Sequence, residues 1–267
     1  MWYSRVRVVG APWGLSFLTI GIAVLLALDT STLTLSLALV EREGASLRVV
    51  EHAVVGPPQK QSEVLPGIIG ELLARHGVAL ASLEGLVVGL GPGSFTGLRI
   101  GLATFKALAY ATGLKVAGAS SLAAVALEGP EGVPLYCLAV ARKDDLYLGA
   151  YVRRGQSVEA LAPETAMSPE EVAAKLAAAP GAVALGPALG DYRAALVSHG
   201  VAPERLLEGP MFPSAVSLAR LARIPESQTL EALFALEPHY VRASEPERNP
   251  KFPPLPGPAP TARLKED

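Results

Sequence analysis

Apolar residues recur first with period two and then with helical spacing, and each change of period marks an element. Leu25-Leu26-Ala27-Leu28 reads as a core strand ending in the polar turn Asp29-Thr30-Ser31. From Thr32 to Val40 the alternation predicts a second strand, with Leu33, Leu35, Leu37 and Leu39 on one face and Thr32, Thr34 and Ser36 on the other. Glu41 to Gly44 is a turn, Ser46 to Val55 a third strand, and Gly56-Pro57-Pro58 a break. A helix is predicted over Ser62–His76, where Val64/Leu65, Ile68/Ile69 and Leu72/Leu73 repeat every four residues while Gly67 and Gly70 thin one side. A strand at Leu86–Gly89, a glycine turn, a helix over Phe95–Ala111 and a strand at Val116–Ala119 follow.

The order recurs more loosely downstream. Leu135–Val140 and Leu146–Val152 read as a hairpin around Arg142-Lys143-Asp144-Asp145. Helices follow at Pro169–Ala178, Asp191–Ser198 and Ala215–Arg223, with a strand at Ala182–Leu185. This predicts a duplicated α/β unit, its halves spanning 24–119 and 120–244 with mixed sheets flanked by helices. The tail over 245–267 is rich in proline and is expected to be unstructured.

The densest motif is Gly91-Pro92-Gly93-Ser94-Phe95-Thr96-Gly97-Leu98-Arg99-Ile100-Gly101, between a strand and a helix. Such a turn aims backbone N–H groups at the helix N-terminus, where an anion could sit. A phosphate loop, however, needs Gly-Lys-Ser/Thr at its end, and no lysine follows either glycine here. A dinucleotide turn needs a third small residue where this chain has Thr96. Two other readings stand: a purely structural turn, or a docking strip in which Gly97 and Gly101, one helical turn apart, bare the backbone. Phe95, Leu98, Leu102, Phe105 and Leu108 form the apolar stripe of the same helix.

Charge narrows the classes. The 267 residues carry 23 basic and 25 acidic groups, which argues against direct nucleic-acid binding. Cys137 is the single cysteine, excluding an intramolecular disulfide framework and suiting a reducing, cytoplasmic setting. The four histidines are scattered, none with a partner at metal-ligand spacing. Val8 to Leu28 is uncharged and follows Arg5 and Arg7, as an anchor or signal would be. Its end, however, is the first core strand. Residues 1–23 are therefore expected to be an upstream extension, and no membrane association is expected.

Leu26-Ala27-Leu28-Asp29-Thr30-Ser31, Gln61-Ser62-Glu63-Val64-Leu65-Pro66, the Gly91–Gly101 motif, Gly118-Ala119-Ser120-Ser121-Leu122 and Glu237-Pro238-His239-Tyr240-Val241-Arg242 together resemble the bacterial TsaB family. The resemblance covers roughly Val24 to Arg242. It implies two actin-like (ASKHA, ribonuclease H-like) subdomains and similarity to TsaD, which transfers threonylcarbamoyl to a tRNA adenosine. It further implies a TsaD-type partner, a TsaE-type ATPase in a larger complex, tRNA met only through that complex, and a homodimer when alone. The catalytic relatives carry His-x-x-x-His where this chain has Ser121 and Val125, so no catalytic residue, metal or cofactor is expected. Asp29 is read as a turn and cap residue, and Asp144 and Asp145 as a polar hairpin tip. Gln61, where many relatives carry histidine, is assigned no role.

The expected function is a noncatalytic scaffold of the tRNA threonylcarbamoyladenosine machinery. Its docking face would lie on the two helices, through Glu63, Leu65, Ile69, Gly97, Arg99, Gly101 and Phe105. The alternatives are an independent peptidase or phosphotransferase on the same fold, and a self-associating structural protein.

Overall fold

A computed structural model describes residues 22–142 and 144–241. The upstream segment and the proline-rich tail lie outside the described residues. The first sheet has the order β3-β2-β1-β4-β5, from β1 (Ala23–Asp29), β2 (Leu35–Glu43), β3 (Ser46–Val55), β4 (Gly85–Gly89) and β5 (Lys115–Ala119). The second, β8-β7-β6-β9, uses β6 (Pro134–Arg142), β7 (Asp145–Arg154), β8 (Ser157–Met167) and β9 (Val183–Leu185). In each, three antiparallel strands are followed by one parallel to the first, so the second sheet repeats the first without a counterpart of β5. The chain is thus an α/β protein of two related subdomains, as expected.

Helices make the remaining layers. The helices α1 (Gln61–Arg75) and α2 (Phe95–Thr112) cover one face of the first sheet, burying Leu65, Ile69, Leu72, Leu102 and Phe105 against Leu26, Leu28, Leu37 and Leu86. Its other face, with Leu25, Ala27, Ala38 and Val40, is covered by α6 (Ala215–Leu221) and by Ala124 of α3 (Ser121–Ala126). Leu122 and Val125 turn from α3 towards the second sheet, beside Leu135, Cys137 and Leu185. The outer face of that sheet carries α4 (Pro169–Ala178) and α5 (Leu189–Ser198). The last helix, α7 (Leu230–Ala235), returns to α2 and sends Leu233 into the first core. A division at residue 120 therefore cuts the chain but not the packing.

Alternation in β2 predicted one polar face, but Ser36, Ala38 and Val40 are as buried as Leu35, Leu37 and Leu39 because α6 covers the second face. Leu33 instead sits in the turn before β2, 76% exposed. Strand β8 and helix α7 have no counterpart in the expected elements. Pro163 masked β8, which is an edge strand, where a missing N–H costs little.

The glycine motif is explained by packing. A Cβ at Gly89 would strike the Asp29 carboxyl, at Gly93 the Ser31 carbonyl, at Gly97 the Thr30 carbonyl and at Gly101 the Thr30 hydroxyl. Gly97 and Gly101 therefore face this chain's own turn, and the docking strip expected there is corrected to a core contact. Their helical phase adjoins that of Leu98, Leu102 and Phe105, so one broad face carries both sets inward. The Thr30 hydroxyl is fully buried and has no hydrogen-bond partner among the described residues. Overpacking is expected to make Gly101→Leu lose about 1–3 kcal/mol of stability. By contrast, Thr30→Val, which removes an unpaired buried hydroxyl at constant shape, should be neutral or stabilising by up to about 1 kcal/mol. Urea unfolding of the two variants checks both signs.

Candidate functional site

Strands β1, β4 and β5 run parallel and end side by side, at Asp29, Gly89 and Ala119. The segments that follow them meet at the junction of the subdomains. Asp29 is fully buried there: Oδ1 accepts from Ser31 N (2.8 Å) and Ser31 Oγ (2.6 Å), and Oδ2 from Ser121 Oγ (2.6 Å). Ser121 Oγ also accepts Gly91 N at 3.2 Å, while Ser121 N donates to Gly91 O at 2.8 Å. Burial pushes the Asp29 carboxyl above its ordinary pKa, and the hydrogen bonds from Ser121 and Ser31 pull the other way. Asp29 is more than a cap: it ties β1 to α3. The turn after it is pinned from outside, Ser94 N donating to Ser31 O (2.7 Å) and Gln61 Nε2 to Thr32 O (2.7 Å). Gln61 thus has the positioning role that the sequence reading withheld.

A second polar cluster borders the first. Ser120 Oγ and Tyr151 OH both donate to Glu164 Oε1 (2.5 Å each), and His239 Nδ1 lies 2.7 Å from Glu164 Oε2. Glu164 reaches inward because β8 is bulged here: Thr165 pairs with Leu148 and Ala162 with Ala150, leaving Pro163 and Glu164 opposite Gly149. Burial, then the Glu164 charge, drives the Tyr151 hydroxyl well above its ordinary pKa. His239 N donates to Leu90 O at 2.7 Å, so the Glu237–Tyr240 segment bridges both subdomains. His239 had a signal in the closing motif. Glu164 had none, since no period announces a bulge.

Positions 121 and 125, matched above to paired histidines, hold a serine engaged by Asp29 and a fully buried valine in the inter-sheet core. Among the described residues no three His, Cys, Asp or Glu side chains converge at metal-binding distance. Burial and the nearby Glu164 raise the Cys137 thiol well above its ordinary pKa. At the hairpin tip Asp145 pairs with Arg142 (2.8 Å), and Asp144 takes a positive φ of 73°. Among the described residues no helix is long and apolar enough to cross a membrane.

The expected docking residues divide sharply. Leu65, Ile69 and Phe105 are core side chains of the first subdomain and Gly97 and Gly101 pack on Thr30, so none of the five lies on the outer face. Glu63 and Arg99 do, Glu63 beside Lys60 (3.1 Å) and Arg99 stacked on Phe95 (3.8 Å to the centroid) and bonded to Tyr240 OH (2.9 Å). The bare backbone lies elsewhere: Gly67, Gly70 and Ala74 are exposed along α1, and a Cβ at either glycine would meet nothing within 4 Å. Ala103 and Ala107 are exposed along the neighbouring α2. The outer faces of the two helices therefore carry small residues at these five positions, and Phe95 and Tyr110 (63% exposed) stand near the two ends of α2.

Comparison with known proteins places these features. Residues 58–207 match the family described as TsaD: tRNA N6-adenosine threonylcarbamoyltransferase. The tRNA threonylcarbamoyladenosine biosynthesis protein TsaB of Haemophilus influenzae is 36% identical over 132 residues, covering 48% of this chain and 54% of that one. The chain thus spans about half the length of this curated relative. Among solved structures, YeaZ from Pseudomonas aeruginosa aligns with a TM-score of 0.57 at 30% identity, covering 74% of this chain and 90% of that one. A second Pseudomonas aeruginosa structure, an uncharacterized protein with similarity to peptidase YeaZ, aligns with a TM-score of 0.63 at 28% identity over 82% of this chain and 100% of that one. On fold, motifs and matched residues, the chain belongs to the TsaD family, among its TsaB/YeaZ members.

Proposed function

We propose that this chain is a noncatalytic scaffold subunit in tRNA threonylcarbamoyladenosine biosynthesis, docking a TsaD-type transferase on the outer faces of α1 and α2. The observation that carries the reading is that the polar groups at the ends of β1 and β5 are buried and bonded to one another. The Asp29 carboxyl spends its oxygens on Ser31 and Ser121, and Ser121 and Val125 stand where the catalytic relatives place histidines. Neither a hydroxyl nor an isopropyl group supplies an imidazole's metal-binding nitrogen. The exposed small residues Gly67, Gly70, Ala74, Ala103 and Ala107 support docking, because helices meet closely where side chains are small. Glu63 and Arg99 supply charges at its margin. A TsaE-type ATPase and tRNA would reach this chain only through the complex, and without a partner the same face would pair two copies.

Purified chain alone should give no threonylcarbamoyl transfer to tRNA, and activity should appear only with a TsaD-type subunit. Turnover by the isolated chain that a substitution within it abolishes would favour the independent enzyme. The docking face has its own test. Gly70→Leu should leave unfolding unchanged or raise stability by about 0.5–1 kcal/mol, since glycine is a poor helix residue. The same variant should lose TsaD-type capture in a pull-down; full binding by it refutes this face.

The Asp29 node predicts a pH dependence. A carboxyl whose folded-state pKa is raised takes up its proton in the folded chain first, so its stabilising contribution grows as pH falls and is lost as pH rises through that pKa. Wild type should therefore gain stability relative to Asp29→Asn between pH 7 and about pH 4, the ordinary carboxyl range. Asp29→Ala, which strands three buried donors, should lose on the order of 3 kcal/mol at pH 7. Denaturant melts at both pH values give the two comparisons.

A further inference from the structure

At the other end of α3 from Ser121, a cavity of about 430 Å³ opens between the subdomains. Its walls come from β3, the end of α3, the β7–β8 hairpin and the segment entering α6. Neither the Asp29 node nor the outer face of α1 and α2 contributes to it.

The polar groups lining it are mostly donors. Arg153 is aimed from two sides: Nε donates to Gly155 O of its own hairpin (2.9 Å) and Nη1 to Gly129 O of the segment after α3 (2.9 Å). Arg220 Nη1 donates to Gln156 Oε1 at 3.2 Å, which leaves the carboxamide nitrogen of Gln156 as a further donor. Neither guanidinium is within ion-pair distance of a carboxylate among the described residues. Ser36 Oγ accepts Ala215 N (2.8 Å) and lies 2.8 Å from His52 Nε2. Burial lowers the His52 pKa, favouring the neutral ring. With the Ser36 proton given to Nε2, Nδ1–H is one more donor. Ser214 also lines the cavity, and its hydroxyl does not cap its helix. Against these stands one lining carboxylate, Glu128, which accepts from Ser217 Oγ at 3.0 Å; burial raises its pKa, while that bond and the Arg220 charge pull it down. Phe212, Val216 and Leu127 supply apolar wall.

We propose that this cavity binds a small organic anion, its carboxylate or phosphate held by Arg153 and Arg220 and its carbon skeleton laid against Phe212 and Val216. A few convergent donors on an apolar wall, in a cavity of this size, is the usual composition of a small-molecule site. Guanidinium is the side chain best matched to either anion, because its planar donors meet two oxygens at once. The neutral His52 and the hydroxyls add hydrogen bonds without further charge, so the site fits a ligand carrying one anionic group.

Phenyl phosphate and benzoate, with phenol as the uncharged control, test this on the full chain by NMR titration at low salt. At least one anion should bind saturably and phenol should not; the preferred probe identifies phosphate or carboxylate. Arg220→Gln should weaken binding about tenfold or more, the loss expected for a charge-assisted hydrogen bond. It should leave the melting temperature within about 2 °C, since its side-chain hydrogen bond is to the exposed Gln156 and its attraction to Glu128 acts from beyond ion-pair distance. Arg153→Gln also frees two backbone carbonyls, at Gly155 and Gly129, so Arg220→Gln is the deciding variant. Glu128→Gln removes the opposing charge and should tighten binding by about two- to tenfold. No saturable binding of either anion, equal binding of phenol, or binding indifferent to Arg220→Gln overturns the proposal, and each leaves the docking reading untouched.

Discussion

The carbonyls of Thr30 and Ser31 lie against Gly97 of α2 and Gly93 of the turn before it, and the architecture of the Asp29 node hangs on that contact. Side chains at Gly93, Gly97 and Gly101 would lever the turn away from the helix. Held down by Ser94 and Gln61, the turn fixes where Asp29 points. Asp29 then takes the Ser121 hydroxyl, and Ser121 closes a two-way hydrogen-bonded contact with Gly91. That places the first turn of α3, a helix whose flanks feed two different cores. Close packing makes such a chain of placements cooperative: interiors at crystal-like density have little room for partial solutions.

The same contact shows what periodicity can and cannot reveal. The strand-to-helix character of the glycine motif was legible because period two gives way to period 3.6 on either side of it. Its partner was not. Bare backbone at Gly97 and Gly101 accommodates a neighbouring helix or a turn of the same chain equally well, and only the path of β1 decides between them. Leu65, Ile69 and Phe105 were misplaced for a related reason. An amphipathic stripe identifies a face that must be covered, but not by what. The first sheet itself covers them, and the exposed strip is the side of α1 that Gly67 and Gly70 leave thin. Glu164 marks the limit more plainly, since a bulge moves a residue across faces without altering the letters around it.

The two sheets share an order but not a setting. In the first, β1 and β2 are buried on both faces and read as nearly continuous apolar runs. In the second, β8 forms an edge whose central residues are exposed, with Pro163 within it. Proline at an edge removes a donor that a foreign strand would otherwise pair with, one of the ways natural sheets avoid stacking edge to edge. The bulge that carries Pro163 also turns Glu164 inward, so protection of the edge and the link between subdomains come from the same irregularity.

Helices α6 and α7 return to the first sheet after the whole second sheet has intervened. Synthesis on the ribosome runs from the N-terminus, and emerging domains fold as units. Here the first subdomain is incomplete on emergence: the face bearing Leu25, Ala27, Ala38 and Val40 has only Ala124 of α3 over it until residues 215–222 appear. Contacts of such sequence separation are slow to close. The nascent chain therefore carries an apolar sheet face in the open for most of its synthesis, which makes it a natural client for chaperones that hold hydrophobic surface.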